Sequence, residues 1–407
     1  MDLGKKVASL RKKNNLTQES LAEKIGVTRQ TISKWELGET SPDIKQAKLL
    51  AAEFNISLDE LVNNNTNNVL MKKVSNTEHL ATITIKMLKV IGIILAVVVV
   101  FVGVYAALMA WTPAATTYSG EINPYITADA ALVSAHRSGG GIMPENTMLA
   151  FESCMNSKDF NTDIFEFDLH ITKDNKLILL HDDTLDRTTN AVEYFGYEDV
   201  KPIDHTYAEL RELNFGENFQ AEDGSYPYRG LRGDKIPDDL RAVLLEDVLD
   251  KLESHGKYSY IIEIKDGGEN GMRGVDILYD VLKERGLLDR VIFGTFKGEV
   301  TEYVDEKHPD MLRSAGIAEV LKFYGAALLN LDLGEDSFKY DALQIPANQY
   351  RVVRLGTKKI VDYAHRYNIA VQYWTINDPD EIERLNDIGA DAIISDTPDV
   401  AYKIIKE

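Results

Sequence analysis

Two carboxylates and an imidazole lie close together in the run 164–182, Ile-Phe-Glu-Phe-Asp-Leu-His-Ile-Thr-Lys-Asp-Asn-Lys-Leu-Ile-Leu-Leu-His-Asp. Glu166 and Asp168 are one residue removed from each other in a β-prone stretch, so both side chains leave the strand on one face. Phe165, Phe167 and Leu169 take the other face and supply the apolar packing that pins it. Thr172-Lys173-Asp174-Asn175 is turn chemistry; Leu177–Leu180 reads as a second, short apolar strand, with His181 and Asp182 at its end. Carboxylates from one strand end and an imidazole from the next suit a hard divalent cation beside a proton-transfer group. The alternative is a satisfied ion pair at a strand terminus.

The elements that must position these groups follow from the pattern after Leu132. Strands are expected at Leu132–Ala135, Ile164–Leu169, Leu177–Leu180, Tyr260–Ile264, Val291–Thr295, Gly325–Leu331, Ala342–Ile345, Ala370–Trp374 and Ala392–Ile394. Amphipathic helices fall between most of them, at Thr147–Asn156, Leu240–Ser254, Gly274–Arg285, Lys297–Lys307, Lys358–Tyr367 and Asp380–Ile388. Such alternation predicts an α/β fold, a TIM (β/α)₈ barrel, with an insertion at about 190–239 after the third strand. Chemistry in such barrels gathers at the C-terminal strand ends. Here those ends carry His136-Arg137, Glu166 with Asp168, His181, Glu263 with Lys265, Trp374 to Asn377, and Ser395-Asp396. Structural ion pairs explain one such end more easily than six.

In this order the motifs resemble the glycerophosphodiester phosphodiesterase family over residues 132–405: His136-Arg137 with Asn146-Thr147, Glu166-x-Asp168, His181-Asp182 with Leu185-Asp186-Arg187-Thr188-Thr189, Glu263-Ile264-Lys265, Trp374 with Asn377, and Gly389 to Pro398. The resemblance implies that Glu166, Asp168 and Glu263 hold one divalent cation, Mg²⁺ or Ca²⁺. It implies that His136 and His181 are the acid/base pair, that Arg137 and Lys265 clamp the phosphate, and that Trp374 packs on the glycerol or else belongs to the barrel core. Asn146 is expected to cap the helix starting at Thr147, and Asp182 and Asp186-Arg187 to fix loops. Gly139–Gly141 answer either to phosphate approach or to a simple turn. Two departures stand out: Ser138 where the family usually has Gly, and a longer segment between Arg187 and Leu240.

The N-terminal 63 residues read as a small all-α unit. Leu3, Val7 and Leu10 recur at helical spacing, Thr17 caps a second helix ended by Gly26, and Thr28 caps a third closed by Gly38. The run 16–38 resembles the Cro/Xre helix-turn-helix family, which implies that Arg29, Gln30 and Lys34 face base edges while Gln18 touches the DNA backbone. Arg and Gln suit guanine and adenine edges.

Residues 64–89 form a linker, Asn-rich at 63–68, and Val90–Trp111 is an uncharged run of 22 residues. At about 1.5 Å per residue it spans roughly 33 Å as a helix, enough for a hydrocarbon core. Lys72, Lys73, Lys86 and Lys89 precede it and no Lys or Arg follows before Arg137. The positive-inside rule therefore predicts a single-pass membrane protein with a cytoplasmic N-terminus, a tether at 112–131 and a catalytic domain, 132–407, outside the membrane. Charge is divided in the same way. Residues 1–67 carry 10 Lys and Arg against 9 Asp and Glu, whereas 112–407 carry 31 against 55, so any nucleic-acid contact belongs to the N-terminus. A single cysteine, Cys154, excludes an intrachain disulfide. The expected activity is hydrolysis of glycerophosphodiesters to an alcohol and glycerol 3-phosphate. The other readings are a transmembrane regulator whose barrel senses an external phosphodiester, and lysophospholipase D-type action on membrane lipids.

Overall fold

The computed structural model describes residues 2–62, 66–111, 118, 120–127, 129–334, 337–349 and 353–406. Part of the Asn-rich linker, 63–65, and much of the tether, 112–117, 119 and 128, lie outside the described residues. The chain divides into two compact units, Met1–Gly103 and Val104–Glu407.

In the first unit, α1 (Leu3–Lys13), α2 (Gln18–Ile25), α3 (Arg29–Leu37), α4 (Ile44–Glu53) and α5 (Leu58–Val62) enclose Val7, Leu21, Ile32, Trp35, Leu50 and Leu61. The ends are set by the residues expected to set them. Thr17 accepts from the Ser20 amide in a capping box, Thr28 accepts from the Thr31 amide, and Gly26 and Gly38 end their helices at φ +72° and +77°. The helix α6 runs Thr66–Ala110, and its stretch His79–Ala110 has a mean hydropathy of 2.9 with none of the apolar window buried. It is long and apolar enough to cross a membrane.

The second unit is a barrel. Its strands are β1 (Leu132–Ala135), β2 (Ile164–Ile171), β3 (Leu177–Leu179), β4 (Ser259–Ile264), β5 (Val291–Gly294), β6 (Ala342–Ile345), β7 (Asn348–Gln349), β8 (Val353–Arg354), β9 (Ala370–Tyr373) and β10 (Ala392–Ser395). Around the barrel they run β5-β4-β2-β1-β10-β9-β6, every neighbouring pair parallel. Two single bridges, Phe293 to Arg313 and Ser314 to Ala342, close the ring between β5 and β6. The helices are α7 (Met148–Met155), α8 (Ala191–Phe195), α9 (Tyr207–Leu210), α10 (Leu245–His255), α11 (Gly268–Arg285), α12 (Gly298–Lys307), α13 (Ile317–Leu329), α14 (Lys358–Arg366), α15 (Pro379–Asp387) and α16 (Pro398–Lys406). Small and branched side chains fill the barrel interior, among them Ile164, Ile261, Ile292, Ala342, Ala370 and Ala392.

Two expected barrel strands change. Leu177–Leu180 is not a barrel strand: β3 turns back antiparallel on β2, Leu169 opposite Leu179, because the four-residue turn at 172–175 leaves no room for a crossover. Gly325–Leu331 is not a strand but the end of α13, whose Phe323, Ala326 and Ala327 face the core. The eighth barrel position is instead Arg313-Ser314. There a fully buried Arg313 is held by Asp305 at 2.6 and 3.0 Å and by Glu319 at 2.8 and 2.9 Å. The segment between β3 and α10 has only short helices and a small core of Leu185, Val200, Leu210, Leu213 and Phe215.

Candidate active site

The β2 alternation delivers Glu166 and Asp168 to the inside of the barrel, while Phe165 and Phe167 pack outward against Phe151 at 5.5 Å. Asp168 is in register with Glu263 on the adjacent β4, so the two carboxylates share a sheet row. Lys265 lies two residues further along β4's line. One cavity of about 110 Å³ is lined by His136, Arg137, Glu166, Asp168, His181, Glu263, Lys265 and Trp374. The barrel residues to which the resemblance gives an acid/base, metal, phosphate or glycerol role therefore all line one cavity.

The two imidazoles are held alike. His136 Nδ1 is 2.6 Å from Asp396 Oδ1, and His181 Nδ1 is 2.7 Å from Asp182 Oδ1, which in each ring leaves Nε2 for other partners. His136 Nε2 is 4.0 Å from Glu166 Oε2. Burial pulls the His136 pKa down, but the charges of Glu166 and Asp396 outweigh it and leave it raised. Burial also lowers His181; there Asp168 and Asp182 do not make up the loss.

The carboxylates are crowded, Glu166 and Asp168 buried and Glu263 partly so. Burial and the neighbouring Asp168 push Glu166 up to about 7. Glu263 is likewise raised by burial, against the pull of Lys265. Asp168 is held below its usual range because Lys265, His181 and Asn146 overcome its burial. The Lys265 ammonium is 3.0 Å from both Asp168 and Glu263, so two of the three predicted metal ligands already converge on one cation. Glu166 instead accepts the Arg137 amide at 2.6 Å. Among the described residues no three His, Cys, Asp or Glu side chains are drawn close enough to form a ready metal cage. The donor chemistry does fit a hard dication: the buried Glu166 and Asp168 and the partly buried Glu263 present only oxygen donors to one cavity.

Arg137 sits at φ +49° between β1 and α7, and Ser138 and Gly139 continue the left-handed turn at +68° and +93°. The expected Gly at position 138 matches that φ, and Ser138 adopts it with its hydroxyl buried and unpartnered. The amides of Gly139 and Gly140 both go to the His136 carbonyl, and that of Gly141 to Asp396 at 2.9 Å. A Cβ on Gly141 would lie 2.8 Å from that carbonyl oxygen. Of the two readings of the glycines, the turn is correct: their amides are spent on the backbone. The guanidinium of Arg137 donates to Glu145 at 3.2 Å, while its Nε is buried without a partner, a donor suited to an anion in the cavity.

Several site residues were not assigned from sequence. Asn146 was expected to cap the helix, yet Thr147 accepts from the Ala150 amide as the cap, and Asn146 Nδ2 donates to Asp168 Oδ2 at 3.0 Å. Asp396 anchors His136 and is itself fixed by Asn377 at 2.7 Å. Arg187, expected only to fix a loop, does so between functional groups: it bridges Asp182 at 2.5 Å and Glu145 at 2.6 Å, tying the His181 and Arg137 loops together. Phe296, edge-on to Trp374 at 6.0 Å, completes one wall. Asn146, Arg187 and Asp396 stand within the quoted motifs without these roles, and Phe296 carries no signal in the sequence.

The family model described as the glycerophosphoryl diester phosphodiesterase family matches residues 136–400, the whole of this site. The chain belongs to that family. A glycerophosphodiester phosphodiesterase of Bacillus subtilis is 27% identical over 323 residues, covering 77% of this chain and 98% of that protein. The glycerophosphoryl diester phosphodiesterase domain of a Mycobacterium tuberculosis protein shares the fold with a TM-score of 0.54, 18% identity, and coverage of 68% of this chain and 99% of that one. A helix-turn-helix model matches residues 7–61. There the transcriptional activator BcrR of Enterococcus faecalis is 42% identical over 62 residues, 15% of this chain and 30% of that protein. In the helix-turn-helix unit Arg29, Gln30 and Lys34 are exposed on α3, whereas Gln18 donates to Glu36 at 2.8 Å, which also holds Arg11 at 2.5 Å.

Proposed function

We propose that this member of the glycerophosphodiester phosphodiesterase family is a membrane-anchored, divalent-cation-dependent hydrolase. It cleaves glycerophosphodiesters to an alcohol and glycerol 3-phosphate. The observation that carries this reading is the pair of Asp-anchored imidazoles that line one cavity with three carboxylates and a lysine. In it one imidazole takes the proton of the nucleophile that bonds to phosphorus and the other gives one to the alkoxide whose P–O bond breaks, a water supplying the oxygen that ends on the phosphomonoester. Arg137 and Lys265 neutralise the non-bridging oxygens, Arg137 through its unspent Nε. Trp374 and Phe296 shape the side where the glycerol rests. Glu166, Asp168 and Glu263 would hold the cation, Mg²⁺ or Ca²⁺, which when bound supplies Lewis-acid polarisation of the phosphoryl oxygen.

In the same reading residues 1–63 bind DNA through Arg29, Gln30 and Lys34, 64–89 link, 90–111 cross the membrane, 112–131 tether, and 132–407 act outside the cytoplasm. Gln18 must leave Glu36 to reach a phosphate. The test is turnover of glycerophosphocholine by the full chain in detergent, with Mg²⁺, Ca²⁺ or chelator. Release of glycerol 3-phosphate that stops with chelator and falls at least 100-fold in His136→Ala supports the reading; chelator-resistant turnover, or an active His136→Ala, contradicts it.

A further inference from the structure

One wall of the catalytic cavity is polar in a way the proton transfers and the cation do not account for. Barrel interiors of this kind are ordinarily filled by branched apolar side chains. Here β6 and β9 are in register at Gln344 and Gln372, and both side chains face inward on the same alternation as Ala342 and Ala370. Gln372 is fully buried and accepts from Gln344 Nε2 at 3.0 Å. A buried amide is costly without a partner, so each of the two holds the other in place. With its nitrogen spent on Gln372, Gln344 keeps its Oε1 free: among the described residues neither that oxygen nor Ser314 Oγ takes part in a hydrogen bond. Gln344 and Ser314 both line the cavity.

The space between them is left by a missing side chain. The row that sets Asp168 beside Glu263 continues on β5 at Gly294. The backbone there does not lie in the left-handed region, so the chain conformation does not call for glycine. A Cβ at that position would stand 3.3 Å from Gln344 Oε1, 3.6 Å from Ser314 Oγ and 3.8 Å from Glu263 Cβ. A ligand atom in this space is therefore flanked by two unspent oxygens, close to hydrogen-bond distance of each. Phe296, two residues past Gly294, and Trp374, whose amide donates to the Ile345 carbonyl at 3.2 Å, bring two aromatic rings to the same wall. Rings for carbon and oxygens for hydroxyls make an amphipathic seat.

Resting on the hydrolase reading above, we propose that Gln344 and Ser314 select the glycerol. They hold its terminal hydroxyl, the one farthest from phosphorus, in the space over Gly294. The phosphate is engaged by Arg137 after β1 and Lys265 after β4, so the terminal hydroxyl is the part of the glycerol that reaches the wall of β5 and β6. A site built to hydrogen-bond a hydroxyl rejects an analogue that lacks it, because its own polar atoms are then left unpaired.

The test measures kcat/KM of the full chain in detergent, with saturating divalent cation, on two soluble substrates. One is glycerophosphocholine; the other is 2-hydroxypropyl phosphocholine, which lacks only the terminal hydroxyl. The wild type is expected to prefer the first at least tenfold. In Gln344→Met, which keeps the length of the side chain and removes the amide, kcat/KM on glycerophosphocholine is expected to fall at least tenfold and the preference to shrink to within twofold. Gly294→Ala, which leaves both oxygens and fills the space, is expected to give the same pattern. A wild type without the preference, a preference kept in either variant, or equal loss on both substrates in both variants overturns the inference. No turnover of glycerophosphocholine by the wild type refutes the hydrolase reading and takes this inference with it. Turnover without the preference refutes only the role of this wall.

Discussion

Replacing Asp396 by Ala removes the carboxylate that holds His136 Nδ1 at 2.6 Å and leaves the ring free to turn. A hydrogen bond to a charged partner contributes about 1.5–3 kcal/mol, and each 1.36 kcal/mol of transition-state stabilisation is tenfold in rate. If the full interaction acts on the orientation of the imidazole in the transition state, kcat falls roughly 10- to 150-fold by that conversion. KM should change little, because Asp396 is not among the residues lining the cavity. The charge of Asp396 also raises the His136 pKa, so its removal moves the His136 limb of the kcat/KM profile to lower pH. The assay is a pH series of glycerophosphocholine turnover with saturating divalent cation. A variant with wild-type kcat and an unmoved profile would refute the role of Asp396 and the premise that both imidazoles work from fixed Nδ1 contacts.

Asn146→Ala strips Asp168 of its buried donor; the divalent concentration giving half-maximal activity should rise about 10- to 100-fold, and an unchanged metal titration would show that Asn146 is only structural. Arg313→Leu leaves Asp305 and Glu319 facing each other at the barrel seam, a loss of about 3–5 kcal/mol that calorimetry should register as a Tm lower by roughly 6–15 °C. Asp182 is held down to about 2, its burial outweighed by Arg187 and His181. A depressed carboxyl stabilises the fold above its unfolded pKa and loses that contribution as pH falls through the folded one. The Tm gap between wild type and Asp182→Asn should therefore be full at pH 5 and close as the pH approaches 2; a gap that persists at pH 2 would contradict the ion pair.

Much of this was legible because side-chain period and strand geometry coincide. The alternation that sets Glu166 and Asp168 against Phe165 and Phe167 can be satisfied only by a strand buried on both faces, and the barrel then fixes which end carries chemistry. What escaped was set by tertiary partners. Arg313-Ser314 has no strand-like pattern; it is a strand position because Asp305 and Glu319 satisfy a buried guanidinium there. Gly325–Leu331 looked like a strand because a short apolar run has no readable period, and α13 buries only one of its faces. The direction of β3 depends on pairing, which residue types do not encode. Asn146 was misassigned because it stands next to a true cap: with φ +56° it points into the barrel while Thr147 caps.

In the proposed enzyme Glu166, Asp168 and Glu263 close on a single cation beside His136 and His181. Diffraction at the manganese edge from crystals grown with Mn²⁺ would locate that cation. One anomalous peak touched by all three carboxylates is expected, with Lys265 moved off at least one of them. A peak that Glu263 does not reach, or one absent altogether while Lys265 still bridges Asp168 and Glu263, would contradict it.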